Sequence, residues 1–197
     1  MMIKNKKYDA NFTAGGLLFN EFIALEVLLL SENFEEGIAI EEEQNNVIGI
    51  ATNSARKRII SEIKRRYHLA PDDFWSHFFG WHENEQKLAL FYLCLKTYPV
   101  VLDLHFEVTI KKFKSGNKLD AYDLQMRLDE LASNDEDIAK WSESTFNKIN
   151  VQYRKALKDA GLFDGEKPTN ISKVNDHFWN FFNDINESWF LEACFKN

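Results

Sequence analysis

Lysine and arginine recur at helical spacing in two parts of this sequence, each time opposite a separate set of apolar residues. In the first, Lys57, Arg58, Ser61, Lys64 and Arg65 fall on one side of a helix turning about 100° per residue, with Ile59, Ile60, Ile63 and Tyr67 on the other. In the second, Ser144, Asn147, Lys148, Val151, Arg154, Lys155 and Lys158 oppose a stripe of Phe146, Ile149, Tyr153, Ala156, Leu157 and Ala160. Cations so placed hold phosphates, and short polar groups beside them can reach base edges, so the chemistry on offer is nucleic-acid binding. A solvated helix face has the same composition, and a single such run decides nothing. Three runs are present: residues 56–66 carry six Lys/Arg against one acid, while 108–118 and 148–158 each carry four against none.

Catalytic chemistry is not assembled by any spacing in the chain. Phosphate-cradling glycine loops, a nucleophile elbow and an H-E-x-x-H pair are all missing. His77 and His82 stand five apart, so on a helix they splay instead of converging on a metal. Asp72-Asp73 and Asp135-Glu136-Asp137 sit at helix starts, where the positive end of the helix dipole accounts for them. The expectation is a non-enzyme with no cofactor and no metal. The rings of Phe178, Trp179, Phe181, Phe182, Trp189, Phe190 and Phe195 could stack on bases, but at this spacing they are expected in the core.

The elements that must position the two basic faces can be read from their caps. Thr13 is expected to cap a first helix ending near Ser31, and Phe34–Gln44 to form a second, acidic one. Val47–Ile50 reads as a short strand or a buried turn. Thr52 or Asn53 caps the helix that carries Lys57 to Arg65. Pro71 with Asp72-Asp73 opens another helix, and Glu83–Tyr98 forms one stopped by Pro99. Val100–Lys112 is read as helix although Val, Thr and Ile favour strand, and Ser115-Gly116-Asn117 is a turn. Asp120 to Ala132 follows as a helix, then a short one opened by a Ser133–Glu136 capping box. Ser142 caps the helix of residues 142–160. Gly161 ends it, and Asp164-Gly165 centres a compact hairpin that would serve as a wing.

The 197 residues, 45% hydrophobic with only 8 Gly and 3 Pro, favour long helices over a strand-rich sandwich. The fold class is all-α. The divisions expected are an N-terminal helix-turn-helix-like unit at 1–70, a helical linker at 71–118 and a winged-helix-like unit at 119–197. A net charge of −7 excludes a coat of positive charge and leaves nucleic-acid contact to local patches. Two cysteines a hundred positions apart and no signal-peptide pattern point to a reducing cytoplasm. The apolar run Leu17–Leu30 includes Asn20, Glu21 and Glu26 and is shorter than the ~20 residues of a membrane span, so a buried helix is expected there.

Three stretches resemble one known family. Tyr8-Asp9-Ala10-Asn11-Phe12-Thr13-Ala14-Gly15-Gly16-Leu17-Leu18, Asn53-Ser54-Ala55-Arg56-Lys57-Arg58, and Trp141-Ser142-Glu143-Ser144-Thr145 leading to Ala160-Gly161-Leu162 are similar to the BrxA family. That family is the small helical component of BREX bacteriophage-exclusion systems. The resemblance implies a bacterial cytoplasmic accessory protein beside other BREX proteins, with two helix-turn-helix-like units and double-stranded DNA as ligand, while the hydropathy leads us to expect no membrane partner. A chain that is monomeric on its own is expected. Family descriptions also mention a likeness to NusB-type RNA-binding antitermination proteins and an inner-membrane location, the latter at odds with the hydropathy. An RNA-binding protein and an assembly factor docking through its aromatic C-terminal segment are the alternatives. The family supplies no catalytic residues to carry over, so the candidate DNA-facing positions are those of the two helical wheels.

Overall fold

Helices follow one another with few glycines to interrupt them, as the composition requires. A computed structural model describes residues 7–171 and 173–196. A 3-10 turn at Asn11–Ala14 leads into α1 (Phe19–Ala24) and α2 (Glu26–Leu29). Next come α3 (Phe34–Gln44), α4 (Asn53–Leu69), α5 (Phe74–Gly80), α6 (Glu83–Thr97) and α7 (Pro99–Asp103). A π-helical segment, Leu104–Thr109, joins α7 to α8 (Ile110–Ser115). The remainder is α9 (Ala121–Asn134), α10 (Glu136–Ala139), α11 (Glu143–Asp159), α12 (Asp176–Asp184) and α13 (Trp189–Ala193). The fold is all-α, and among the described residues strand pairing is limited to one antiparallel bridge between Phe163 and Pro168.

The centre of the molecule is α6, in which Leu88 to Leu95 are buried without interruption, the mark of a helix surrounded on every side. Pro99 does end α6, since its ring cannot continue the ladder, but it also occupies the first turn of α7. The two arms Glu83–Thr97 and Pro99–Ser115 meet at 108°, and among the described residues no single helix is long and apolar enough to cross a membrane. The C-terminal aromatic residues pack on this centre. Phe182 lies 4.9 Å from Tyr92 and 4.7 Å from Phe190, ring to ring, and Phe178 lies 4.8 Å from Trp81. They belong to the core, as their spacing suggested.

Several local expectations change. Thr13 caps no long helix: it lies within the 3-10 turn and its hydroxyl donates to the Ala10 carbonyl at 2.8 Å. The chain breaks at Gly15-Gly16, and Leu18 precedes α1 in the left-handed region at φ 57°. The run after it is not one buried helix but two short ones, with Val27 81% exposed. Val47–Ile50 forms no strand and is not buried as a turn; the Glu41 carboxylate pins this exposed loop by accepting from the amides of Asn46, Val47 and Ile48. Pro71 precedes α5 by three residues instead of sitting in its first turn. The short helix α10 is capped by Asp135, which accepts from the amides of Asp137 and Ile138; the Ser133 hydroxyl donates back into α9 at Asp129. The Asp-Gly turn is real, with Gly165 at φ 109° and the Asp164 carboxylate accepting from the Glu166 and Lys167 amides, but it closes on a single bridge.

The buried core is continuous across residues 70 and 118. Its most demanding polar group is Arg66, wholly buried on α4. Its guanidinium donates to the carbonyls of Gly16 and Leu17 at 2.7 and 2.8 Å and to the Tyr98 hydroxyl, which in turn donates to Glu62 at 2.6 Å. A buried cation without partners is costly, so this network fixes the N-terminal turn against α4 and α6. A second buried polar group stands where the π-helical segment meets α11. His105 Nδ1 is 2.9 Å from the Tyr153 hydroxyl and its Nε2 is 2.7 Å from the Ala193 carbonyl, with Thr109 2.7 Å from Tyr153. Burial depresses the His105 pKa to about 4, against the raising effect of the Ala193 carbonyl, so its ring is neutral at pH 7.

Candidate nucleic-acid interface

The two predicted basic helices form with the caps expected of them. Thr52 Oγ1 accepts from the Ala55 amide at the start of α4, and Ser142 Oγ from the Thr145 amide at the start of α11. Ile60 and Ile63 on α4, and Ile149, Tyr153, Ala156 and Leu157 on α11, are buried, while the polar residues of each wheel face outward or lie half-buried. The sequence pattern therefore gave the orientation of both helices correctly.

What it did not give is how the cations are spent. On α4, Lys64 pairs with Glu35 on α3 at 2.9 Å, and Arg65 pairs with Asp9 at 2.7 Å and donates to the Thr97 carbonyl. Partial burial works against the charge on Arg65, but the Asp9 carboxylate, together with Glu62 and Tyr98, more than offsets it and leaves its pKa raised. Arg56 and Arg66, in the same basic run, turn inward; Arg56 donates to the carbonyls of Glu42 and Ile50, tying down the end of α3. On α11, Lys155 pairs with Asp159 one turn on, and Ser144 bonds to Ser142.

Among the described residues, the outward cations left without a carboxylate partner include Lys57 and Arg58 on α4 and Lys148, Arg154 and Lys158 on α11. Ser61 and Asn147 are exposed beside them. Arg154 is steadied by Asn150 Oδ1 at 3.1 Å, and Asn150 is itself held to the Ala121 carbonyl. Arg58 donates to Thr13 Oγ1 at 2.6 Å, which lays it along the N-terminal turn.

That turn connects the two helices, a relation invisible in either wheel. Its α4 side carries Arg58 and Arg65, bonded to Thr13 and Asp9. On its other side Gly16, at φ 62°, lies so near α11 that a Cβ there would meet Gln152 Oε1 at 3.1 Å. Lys148 and Lys155, one turn either way from Gln152, share that side of α11. The N-terminal turn thus lies between α4 and the Lys148–Lys155 edge of α11, with Arg154 and Lys158 about 160° and about 120° further around that helix from Gln152. Sequence reasoning had no signal for this, because the contact joins residues more than a hundred positions apart. The wholly buried His105 and Arg66, also missed as buried polar centres, lay in ordinary-looking helical stretches.

No three His, Cys, Asp or Glu side chains come together to hold a metal ion among the described residues. Both cysteines are free and buried, and burial raises their thiol pKa values.

The arrangement is that of an all-helical protein whose outward chemistry lies in paired helix faces. Residues 6–175 match the BrxA family model, and the chain belongs to that family. It is 27% identical over 169 residues to the BREX protein BrxA of Bacillus cereus (strain H3081.97), covering 84% of each chain. It is 26% identical over 181 residues to the BREX protein BrxA of Escherichia coli O9:H4 (strain HS), covering 88% of this chain and 82% of the relative. Its fold is shared with an uncharacterized protein from Magnetospirillum magneticum, known from a crystal structure. That TM-score is 0.76 at 19% identity, covering 97% of this chain and 99% of the other.

Proposed function

We propose that this protein is a non-catalytic accessory component of a BREX system that binds double-stranded DNA through the outer faces of α4 and α11. The observation that carries the reading is the set of cations Lys57, Arg58, Lys148, Arg154 and Lys158, which have no carboxylate partner among the described residues, on two helices that flank the same N-terminal turn. Family membership and the two curated relatives named BREX protein BrxA support the setting, a bacterial cytoplasm with other BREX proteins as partners.

Binding rests mainly on phosphates. Lys57, Lys148 and Lys158 act as point charges, Arg58 and Arg154 as forked donors, and Ser61, Ser144 and Asn147 offer the few groups able to touch base edges. Lys64, Arg65 and Lys155 hold the scaffold through their carboxylates and contribute less. In the proposed arrangement the helix-turn-helix-like units meet the duplex as one surface organised by residues 9–16. The net charge of −7 keeps the rest of the molecule repelled from DNA, so orientation is selected electrostatically.

The test is competition between a labelled duplex and structured RNA for the folded monomer. Duplex preference, weakened by Lys148→Glu with Lys158→Glu, is the expected result. A marked RNA preference, or binding indifferent to both reversals, overturns the assignment.

A further inference from the structure

A shallow groove of about 360 Å³ lies where α2 and the end of α4 meet the start of α5. Its wall includes Tyr67 and Trp75, which belong to a column of near-parallel rings. Phe34 stacks on Tyr67 at 3.5 Å, Tyr67 on Trp75 at 6.0 Å, and Trp75 on Phe22 at 5.2 Å. With both faces covered, Trp75 can present only an edge to the groove. It is 8% exposed, and its indole nitrogen is itself buried and, like that of Trp81, makes no hydrogen bond among the described residues.

The rim is acidic. Glu32, Asp72 and Asp73 are exposed and have no cationic partner among the described residues, although Glu35 nearby on α3 is paired with both Lys64 and His68. The carbonyl end of α4 points at the same place, and Pro71 has no N–H to give it, which adds to the negative potential. Beyond the groove the apolar surface continues: Leu30 is 48% exposed and Val27, one turn earlier on α2, is 81% exposed.

We infer that this groove docks a basic, apolar segment of a partner protein, whose Leu-type side chains cover Val27 and Leu30 and whose Lys or Arg meets Glu32, Asp72 and Asp73. A small cation would leave Val27 and Leu30 in water, and an acidic or nucleic-acid ligand would be repelled. Such a segment fits the helix-in-groove mode of peptide recognition, in which apolar anchors set the register and flanking charges set the partner.

The probe is a labelled amphipathic peptide of roughly twelve residues with Leu at the i, i+3, i+4, i+7 positions of a helix and Lys elsewhere, compared by fluorescence anisotropy with its Leu and Glu counterpart. Saturable binding of the Leu/Lys peptide alone is expected, weakened about tenfold or more by Glu32→Lys, Asp72→Lys and Asp73→Lys together. A control makes the same change in net charge elsewhere, with Glu43→Lys, Glu136→Lys and Asp184→Lys, all exposed positions. An equal loss in that control would reduce the attraction to bulk charge and sink the inference. So would failure of the Leu/Lys peptide to bind, or binding untouched by the triple reversal. Self-association of the wild type by sedimentation, abolished by the triple reversal, would assign the groove to a second copy of this chain and overturn the heterologous partner.

Discussion

Salt dependence separates phosphate-binding cations from those already paired. If Lys57, Arg58, Lys148, Arg154 and Lys158 each neutralise one phosphate, log K against log salt should have a slope of about −4.5 for duplex DNA. Between roughly 50 and 200 mM salt the affinity then falls about 500-fold. Lys148→Ala with Lys158→Ala removes two contacts, so the slope becomes about −2.7 and the fall about 40-fold over the same range. Lys64→Ala with Lys155→Ala removes cations bonded to Glu35 and Asp159, and should leave the slope much nearer the wild-type value. Fluorescence anisotropy with a labelled duplex measures the slopes. Circular dichroism checks that the four substitutions, on outward helix positions, leave the fold intact. A wild-type slope shallower than about −2, or equal changes in the two double variants, would refute the idea that the unpaired cations form the interface.

Other perturbations address the scaffold. Arg66→Met retains side-chain bulk but strands the Gly16 and Leu17 carbonyls and removes the cation beside Tyr98 and the buried Glu62. It should cost about 3–5 kcal/mol in urea unfolding, and a loss below about 1 kcal/mol would contradict the role given to this network. Because His105 is neutral in the folded protein while the unfolded chain takes up a proton near pH 6.5, stability should fall as pH drops through 6.5 toward about 4. Between pH 7 and 5 this amounts to about 2 kcal/mol, which His105→Gln should remove from the pH dependence of the unfolding free energy. Gly16→Ala, strained at φ 62° and crowded against Gln152, should lower stability by about 1 kcal/mol or more, read as a lowered thermal midpoint.

Helix type and facing were legible because they depend on neighbours. The 3.6-residue period of Ile60 and Ile63, or of Ile149, Tyr153 and Leu157, and the caps Thr52 and Ser142, are local facts that the fold preserves. Local rules failed where a distant group intervened. The first helix is broken at Gly15-Gly16, where Arg66 takes the carbonyls of residues 16 and 17 from fifty positions away. The Val47–Ile50 loop is shaped by Glu41, and no strand propensity could compete with a carboxylate accepting from three successive amides. For the candidate site, the eleven residues picked from the wheels are exposed or half-buried, but only the folded chain brings Asp9, Glu35 and Asp159 to Arg65, Lys64 and Lys155. Charge compensation between elements is a tertiary property, and the sequence period carries no record of it.

The Asn11–Ala14 turn has a temporal consequence. It leaves the ribosome about 130 residues before the first turn of α11 does, which at bacterial synthesis rates is roughly 7–25 s. α4 ends at Leu69 and α11 starts at Glu143, so for roughly 4–15 s of that interval the first flank has been synthesised and the other does not exist, and the α4 cations are presented alone. A truncated or stalled chain would display half of the proposed surface, with correspondingly weak hold on DNA. Completion of translation would then act as the step that licenses binding.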